Sequence, residues 1–585
     1  MAAAQNQGSD MQSIKTLLLA ATALGFATDF ALAQSNEAFI EQGVDTGFAV
    51  AVGNDNEALV DQSGGQQNET RLTQVGNDND ASITQSGDNN FAGALIGSAA
   101  RNLTQRGNQN SLTIDQSGNN NTVGLQNGLR VQQGATTFSG RGDSNEASIE
   151  QSSNGNAVGG FSQLSASTTI VETRPTNTIA IVQGGEGANT VSFVYQSNSA
   201  NGATNSVNIG QIGTENLIGN ATSTARAIEQ IGTGNDAEVQ QGGERNIVTT
   251  IQQTGADNSA FVGQVAVGIR GSGSDNTVET IRQIGGNQAT VRQADGTGNI
   301  LTLIDQTNTV GGVGTANSAT VSQFGTDNGT TAFAALAGSV GAIEATVLQV
   351  GTNNALTRTE IGNRNVSGFA QLGAFNTASG TMSGDDNSLG MYVDGDSNIV
   401  FFGQSGDNND AGIRIIGDDN SSNTIAGNPS AIRQNGDDNL AYLEIVGSSN
   451  AVGIRQDTSD SGATLRIDGD GNNATIQQTG IGFHTALLTI NGNDNGVGTF
   501  SGASLNLVAA NAPGGLLGQS GFDNGATLSI TGDGNLFNVS QSGDRNTLTA
   551  DTNGNMNQMA VIQSSAGNVA ALTQTGNGNI AAISQ

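Results

Sequence analysis

The chain has 585 residues, of which 85 are glycine and 4% aromatic, with no tryptophan and no cysteine, and its formal net charge is −32. This composition excludes disulfides and thiolate metal centres. It argues against nucleic acid as a partner, because phosphates are met by clustered Lys and Arg, and it leaves too few large side chains for an ordinary globular core. Disorder is an equally poor description, because charged residues make up only 12% of the chain and the apolar ones recur periodically.

Residues 11–34 read MQSIKTLLLAATALGFATDFALAQ. Lys15, the only lysine in the sequence, precedes an apolar run over 17–26, and Ala31-Leu32-Ala33 supplies a small-x-small cleavage pattern. Residues 1–33 are therefore expected to be a signal peptide, with Met11 as an alternative start. The apolar run is too short for a membrane anchor.

Beyond it, NDASITQSGDNN at 79–90 alternates strictly. In an extended chain Asn79, Ala81, Ile83, Gln85 and Gly87 share one face. Two apolar residues flanked by two amides make a poor core for one strand, because a buried amide needs partners for both donor and acceptor. Copies stacked in register supply them, as ladders of identical side chains.

The unit is Asn-x-φ-x-φ-x-Gln-x-Gly-x-x, with φ apolar. It recurs from Asn205 to Gln211 and from Asn317 to Gln323. Two longer runs give the period. Gln349, Glu360, Gln371, Met382, Val393, Gln404 and Ile415 are evenly spaced at one unit length, with an asparagine following each, Asn376, Asn398 and Asn409 among them. Gln519, Ile530, Gln541, Thr552, Gln563, Gln574 and Gln585 repeat the pattern, with Asn546, Asn568 and Asn579. Period-2 alternation with a glycine turn in every unit predicts an all-β fold: a stacked parallel β-solenoid of 11-residue strand–turn units, two to a 22-residue coil. A three-sided, 33-residue coil stays open, since the period alone does not set the number of sides.

Pro175, Pro429 and Pro513 fall where the phase is lost, as expected of a residue that would remove a ladder hydrogen bond. Excursions are expected near 91–100, 164–176, 265–275, 329–342, 421–433 and 497–516, bulging from one solenoid that covers 34–585. His484, the only histidine, stands where the unit has asparagine and is expected to replace its hydrogen bonds. The GDDN turns at 384–387, 417–420 and 436–439 are expected to be solvated rather than to hold a metal. In a 22-residue coil Asp385 would stack under Asp407 and Asp396 under Asp418, so their repulsion should oppose assembly and falling pH should quicken it. Because the sequence ends in phase with the repeat, its C-terminal edge is expected to be open. No constellation of nucleophile, base or carboxylate pair stands out, so no catalytic residue, cofactor or metal site is expected.

Gln74-Val-Gly76-Asn-Asp-Asn79-Asp-Ala81-Ser-Ile-Thr-Gln85 resembles the curlin repeat, Gln-x-Gly-x-x-Asn-x-Ala-x-x-x-Gln. So does Gln230 to Gln241 with Gly232, Asn235 and Ala237, and Gln563 to Gln574 with Ser565 in place of glycine. The resemblance implies a secreted, non-enzymatic subunit of curli-like extracellular amyloid fibres of a Gram-negative bacterium, serving biofilm matrix and adhesion. It further implies self-polymerisation, a surface nucleator, an outer-membrane export pore and a periplasmic chaperone. The competing expectation is a monomeric β-solenoid acting as a surface adhesin or polysaccharide-binding rod, with excursions such as 329–342 and 497–516 as its binding face.

Overall fold

The computed structural model describes residues 37–43, 55–62, 65–93, 103–124, 131–134, 144–165, 177–198, 204–220, 225–264, 273–294, 296–309, 316–330, 346–422, 431–500 and 514–585. Residues 1–33, expected to be a signal peptide, lie outside them.

Alternation has the expected result. Strands of typically seven residues, such as Thr377–Ser383, Ser388–Asp394 and Ile399–Ser405, bury every second side chain. Each pairs in parallel with the strand two places further along the chain. Ser388 sits beside Asp410 in one sheet and Thr377 beside Ile399 in the other, each pair separated by two units of the repeat. The coil is therefore two-sided, which excludes the 33-residue alternative. We call the sheet containing Glu69–Val75 and Ser388–Asp394 the first sheet, and that containing Asp80–Gln85 and Thr377–Ser383 the second.

The corners use two positive-φ positions. At Gly384 φ is +118°, and at Asp386, two residues on, it is +58° in the left-handed region that Asp and Asn tolerate. The glycine is demanded twice over. A Cβ on Gly384 would lie 2.1 Å from the carbonyl oxygen of Gly406 in the next coil, so the stacked turns leave no room for a side chain.

Between the sheets runs one continuous apolar core, from Leu72, Ile83 and Ile114 through Ile209 and Val262 to Leu528 and Val561, all 1% exposed or less. It is thin, and each coil adds only a few aliphatic residues, so burial becomes stabilising by accumulation along the stack.

Extra residues enter at defined points. In the first sheet many strands are split between their two apolar slots. Phe91–Ala92 is followed by Leu103–Arg106, Thr122–Val123 by Val131–Gly134, Ala157–Val158 by Phe161–Ser165, and Leu217–Ile218 by Ile228–Thr233. In the strand Ile247–Ala256 the buried Val248 and Ile251 are one residue further apart than strict alternation requires. In the second sheet Ser421–Ser422 is split from Ile432–Asn435. Of the expected excursions, the ends at Phe91–Ala92, Leu164–Ser165, Ser421–Ser422, Ile432–Arg433 and Leu516 are strand residues, paired in the stack. Residues 94–102, 166–176, 265–272, 331–345, 423–430 and 501–513, with all three prolines, lie outside the described residues.

Candidate assembly ladders and coil edges

Alternation points the glutamine of each unit inward, above its counterpart one coil earlier. Gln85 donates through Nε2 to Gln116 Oε1 at 2.7 Å, Gln211 to Gln241 at 2.8 Å, and Gln541 to Gln563 at 2.8 Å. Donation always runs toward the C-terminus. The same Nε2 also meets main-chain carbonyls of the facing sheet: Gln541 reaches Gly525 O at 2.9 Å, and Gln404 reaches Ser388 O at 2.9 Å. Glutamine thus binds one coil to the next and one sheet to the other.

The asparagine columns run the other way. Asn110 Nδ2 donates to Asn79 Oδ1 at 2.8 Å, Asn317 to Asn287 at 3.1 Å, Asn376 to Asn354 at 3.1 Å, Asn398 to Asn376 at 3.0 Å and Asn409 to Asn387 at 3.0 Å. The same Oδ1 usually takes the next asparagine's main-chain N–H as well, as from Asn546 to Asn524 and Asn568 to Asn546. Of the residues expected to form the ladder, Asn79, Ala81, Ile83, Gln85, Asn205, Gln211, Asn317, Gln323, Gln371, Asn376, Asn398, Gln404, Asn409, Gln541, Asn546, Gln563 and Gln574 are buried. Gly87 takes the corner position with φ +102°. Asn568 is half-buried and Asn579 exposed, both in the last coil.

A third column runs along the corners, where the expected stacking of Asp385 with Asp407 and Asp396 with Asp418 carries a hydrogen bond that sequence reading missed. The residue after the turn glycine accepts a main-chain N–H from its counterpart one coil earlier: Asp385 N–H reaches Asp407 Oδ1 at 2.8 Å, and Asp396 N–H reaches Asp418 Oδ1 at 2.8 Å. Asparagine serves equally, since Asp470 N–H reaches Asn493 Oδ1 at 2.8 Å. The acidic residues stack as the 22-residue coil requires, and each carboxylate is anchored by an N–H. Asp or Asn recurring directly after glycine was the visible trace of this column.

The Gln columns are interrupted near mid-chain. In the second sheet Gln323 donates to Glu360 Oε2 at 2.8 Å, and Glu360 is followed by Met382. Gln404, above Met382, has an Oε1 with no partner. Two residues before Glu360, Arg358 fills a core slot and is 1% exposed. Its Nη1 donates to Ser367 O at 2.8 Å and Ser367 Oγ at 2.6 Å, while Nε and Nη2 have no partner. Ser367 Oγ donates onward to Glu360 Oε1, which lies 3.6 Å from Arg358 Nη1. Burial lowers the Arg358 pKa and Glu360 acts against this. Sequence reading missed Arg358, although an Arg in an apolar slot followed two residues later by Glu in a Gln slot is a visible departure.

The final strands Val569–Thr575 and Ile580–Ser584 pair on one side only, with Thr547–Asn553 and Gln558–Gln563. Among the described residues, no group of three or more His, Cys, Asp and Glu side chains is placed to hold a metal ion.

The profile of the curlin associated repeat matches residues 53–87 and 76–100. No curated protein matches the chain. The matched segment contains Asn79 to Gln85, whose Asn and Gln columns continue through the later coils, so residues 53–100 are similar to the curlin associated repeat and the same stacking extends beyond them.

Proposed function

We propose that this chain is a secreted structural subunit of extracellular curli-like amyloid fibres, contributing to biofilm matrix and adhesion and growing by stacking the terminal coil of one copy on another. The observation that carries this reading is the stacking of like side chains from coil to coil, Gln541 with Gln563 and Asn398 with Asn376, between parallel strands in register. Layers that repeat in this way offer the same main-chain and amide pairing to a coil of another copy. The curlin-repeat match over 53–100 supports a structural rather than catalytic role and an extracellular place. A signal peptide over 1–33, an outer-membrane pore, a periplasmic chaperone and a surface nucleator complete the proposal.

Incubation of the purified chain lacking 1–33, followed by electron microscopy and fibre diffraction, tests it. Fibres with a meridional reflection at ~4.7 Å are expected, because strands lie across the stacking axis. A monodisperse monomer that persists for days at high concentration would overturn fibre formation and favour the surface adhesin.

A further inference from the structure

His484 is the only histidine in the chain and is fully buried, in the corner slot that asparagine fills in most coils. Two contacts settle its tautomer. Nε2 lies 2.9 Å from the carbonyl oxygen of Thr479, which can only accept, so Nε2 carries the hydrogen. Nδ1 is therefore the acceptor, and it receives the main-chain N–H of Asn524 from the next coil at 3.3 Å. In the following coil the same bond is made to an amide, Asn546 N–H to Asn524 Oδ1 at 2.9 Å. An amide oxygen accepts at any physiological pH, and an imidazole nitrogen does so only while unprotonated.

The layer is weak for other reasons. Below His484 the asparagine is replaced by Ser461, whose Oγ takes the His484 N–H at 3.1 Å. Above it the Gln column makes a long step in sequence, from Gln478 to Gln519. The amide column along this corner is thus discontinuous from Ser461 to Asn524.

We propose that His484 makes the contact between the coil of Asn473–Gly482 and Thr485–Asn491 and the coil of Leu516–Phe522 and Gly525–Thr531 a proton-labile joint. Protonation of Nδ1 sets an N–H against the Asn524 N–H and loosens the stack at that layer. Burial depresses the imidazole pKa below 6.5, opposed by the Thr479 carbonyl, by Asp523 and by the Gly521 main chain. The charged groups on the flanking coils are Asp460 on the preceding turn, Arg466 and Asp468 further along the strand Gly462–Asp468, Arg455 and Asp457 on the strand Ala451–Asp457, and, beyond Phe522, the exposed Asp544 and Arg545. The four strands of the joint carry no ionisable side chain. With the folded pKa depressed, the joint's stability is present above the unfolded value of 6.5 and is lost as pH falls through the folded value. The joint lies inside one chain and does not depend on fibre formation.

Hydrogen–deuterium exchange of the purified chain tests it, with the slow exchange at the imidazole carbon reporting the pKa of this single histidine. The expected result is a midpoint below 6.5, with protection across 516–531 falling more than tenfold between pH 7 and pH 4 relative to 547–563. His484→Asn, which restores the usual residue, should retain that protection. A midpoint at or above 6.5, or an equal loss in His484→Asn, overturns the proposal.

Discussion

The first sheet is built in two ways on either side of Gln371. Up to that residue its inward column is glutamine, including Gln74, Gln105, Gln133, Gln163, Gln196 and Gln230. Beyond it the same slot holds Val393, Ile415, Ile445, Ile467, Ile490 and Ile530, before Thr552 and Gln574 return it to polar residues. The split strands all lie in the glutamine part, while the strands with an aliphatic slot run unbroken. The second sheet obeys the same rule where it is interrupted, since Gln434 follows the split at 423–431 and Gln519 the one before Leu516. A fragment such as Leu103–Arg106 makes few backbone ladder bonds. Gln105 offsets this by donating to Gln133 Oε1 at 3.0 Å, Asp80 O at 2.9 Å and Asn110 O at 3.0 Å. A whole strand is already held in register along its length, and there burial of an isoleucine suffices.

The strongest way to break the aliphatic part is to charge it. Ile413→Asp places an unpaired carboxylate between two sheets and should cost about 3–5 kcal/mol, read as a shift in denaturant midpoint or loss of ordered assembly. Next comes the junction between the two parts. Glu360→Gln strands the Arg358 cation and should cost about 3 kcal/mol, whereas Glu360→Gln combined with Arg358→Leu should recover that loss. A double variant no better than the single one would show that the pair contributes nothing as a pair.

The comparison itself is sharpened by Gln105→Leu in a split strand against Gln371→Leu in an unbroken one. The former should cost about 2 kcal/mol and the latter about 1 kcal/mol. Equal costs would separate glutamine from strand interruption. The smallest effect is at the corners. Asp385→Asn with Asp407→Asn keeps the N–H acceptors, as Asn493 shows, and removes a like-charge contact worth at most about 0.9 kcal/mol in water before salt screening. Assembly at neutral pH should quicken modestly, and an unchanged rate would mean that corner charge does not limit growth.

Much of this was legible in advance, for a definite reason. Alternation, glycine turns and the 11-residue period dictate parallel stacking because each unit lacks partners for its amides. What the period does not carry is the column to which a residue belongs. Val393 and Ile415 lie one unit before and one unit after Gln404 and invite the view that an aliphatic residue is interchangeable with it. An offset of a single unit places them on the opposite sheet, and the column partners of Gln404 are Met382 and Gln434. The split strands escaped notice because half a unit, such as Asn90-Phe-Ala92, looks like a failed repeat. The Arg358 cluster depends on Ser367 facing it across the interior, which no one-dimensional spacing conveys.

The opposed directions of the two amide columns bear on how long such a rod can grow. Side-chain amides aligned head to tail add their dipoles, as peptide units do in a helix, and a single column would gain polarisation with every coil. Up to Gln371 the Gln amides point one way and the Asn amides the other, as from Gln211 to Gln241 and from Asn110 to Asn79, so their axial dipoles oppose each other within a layer. Coils of that kind lengthen the rod without accumulating side-chain field at its tips, whereas coils with an aliphatic slot from Val393 to Ile530 leave the Asn amides of the first sheet unopposed.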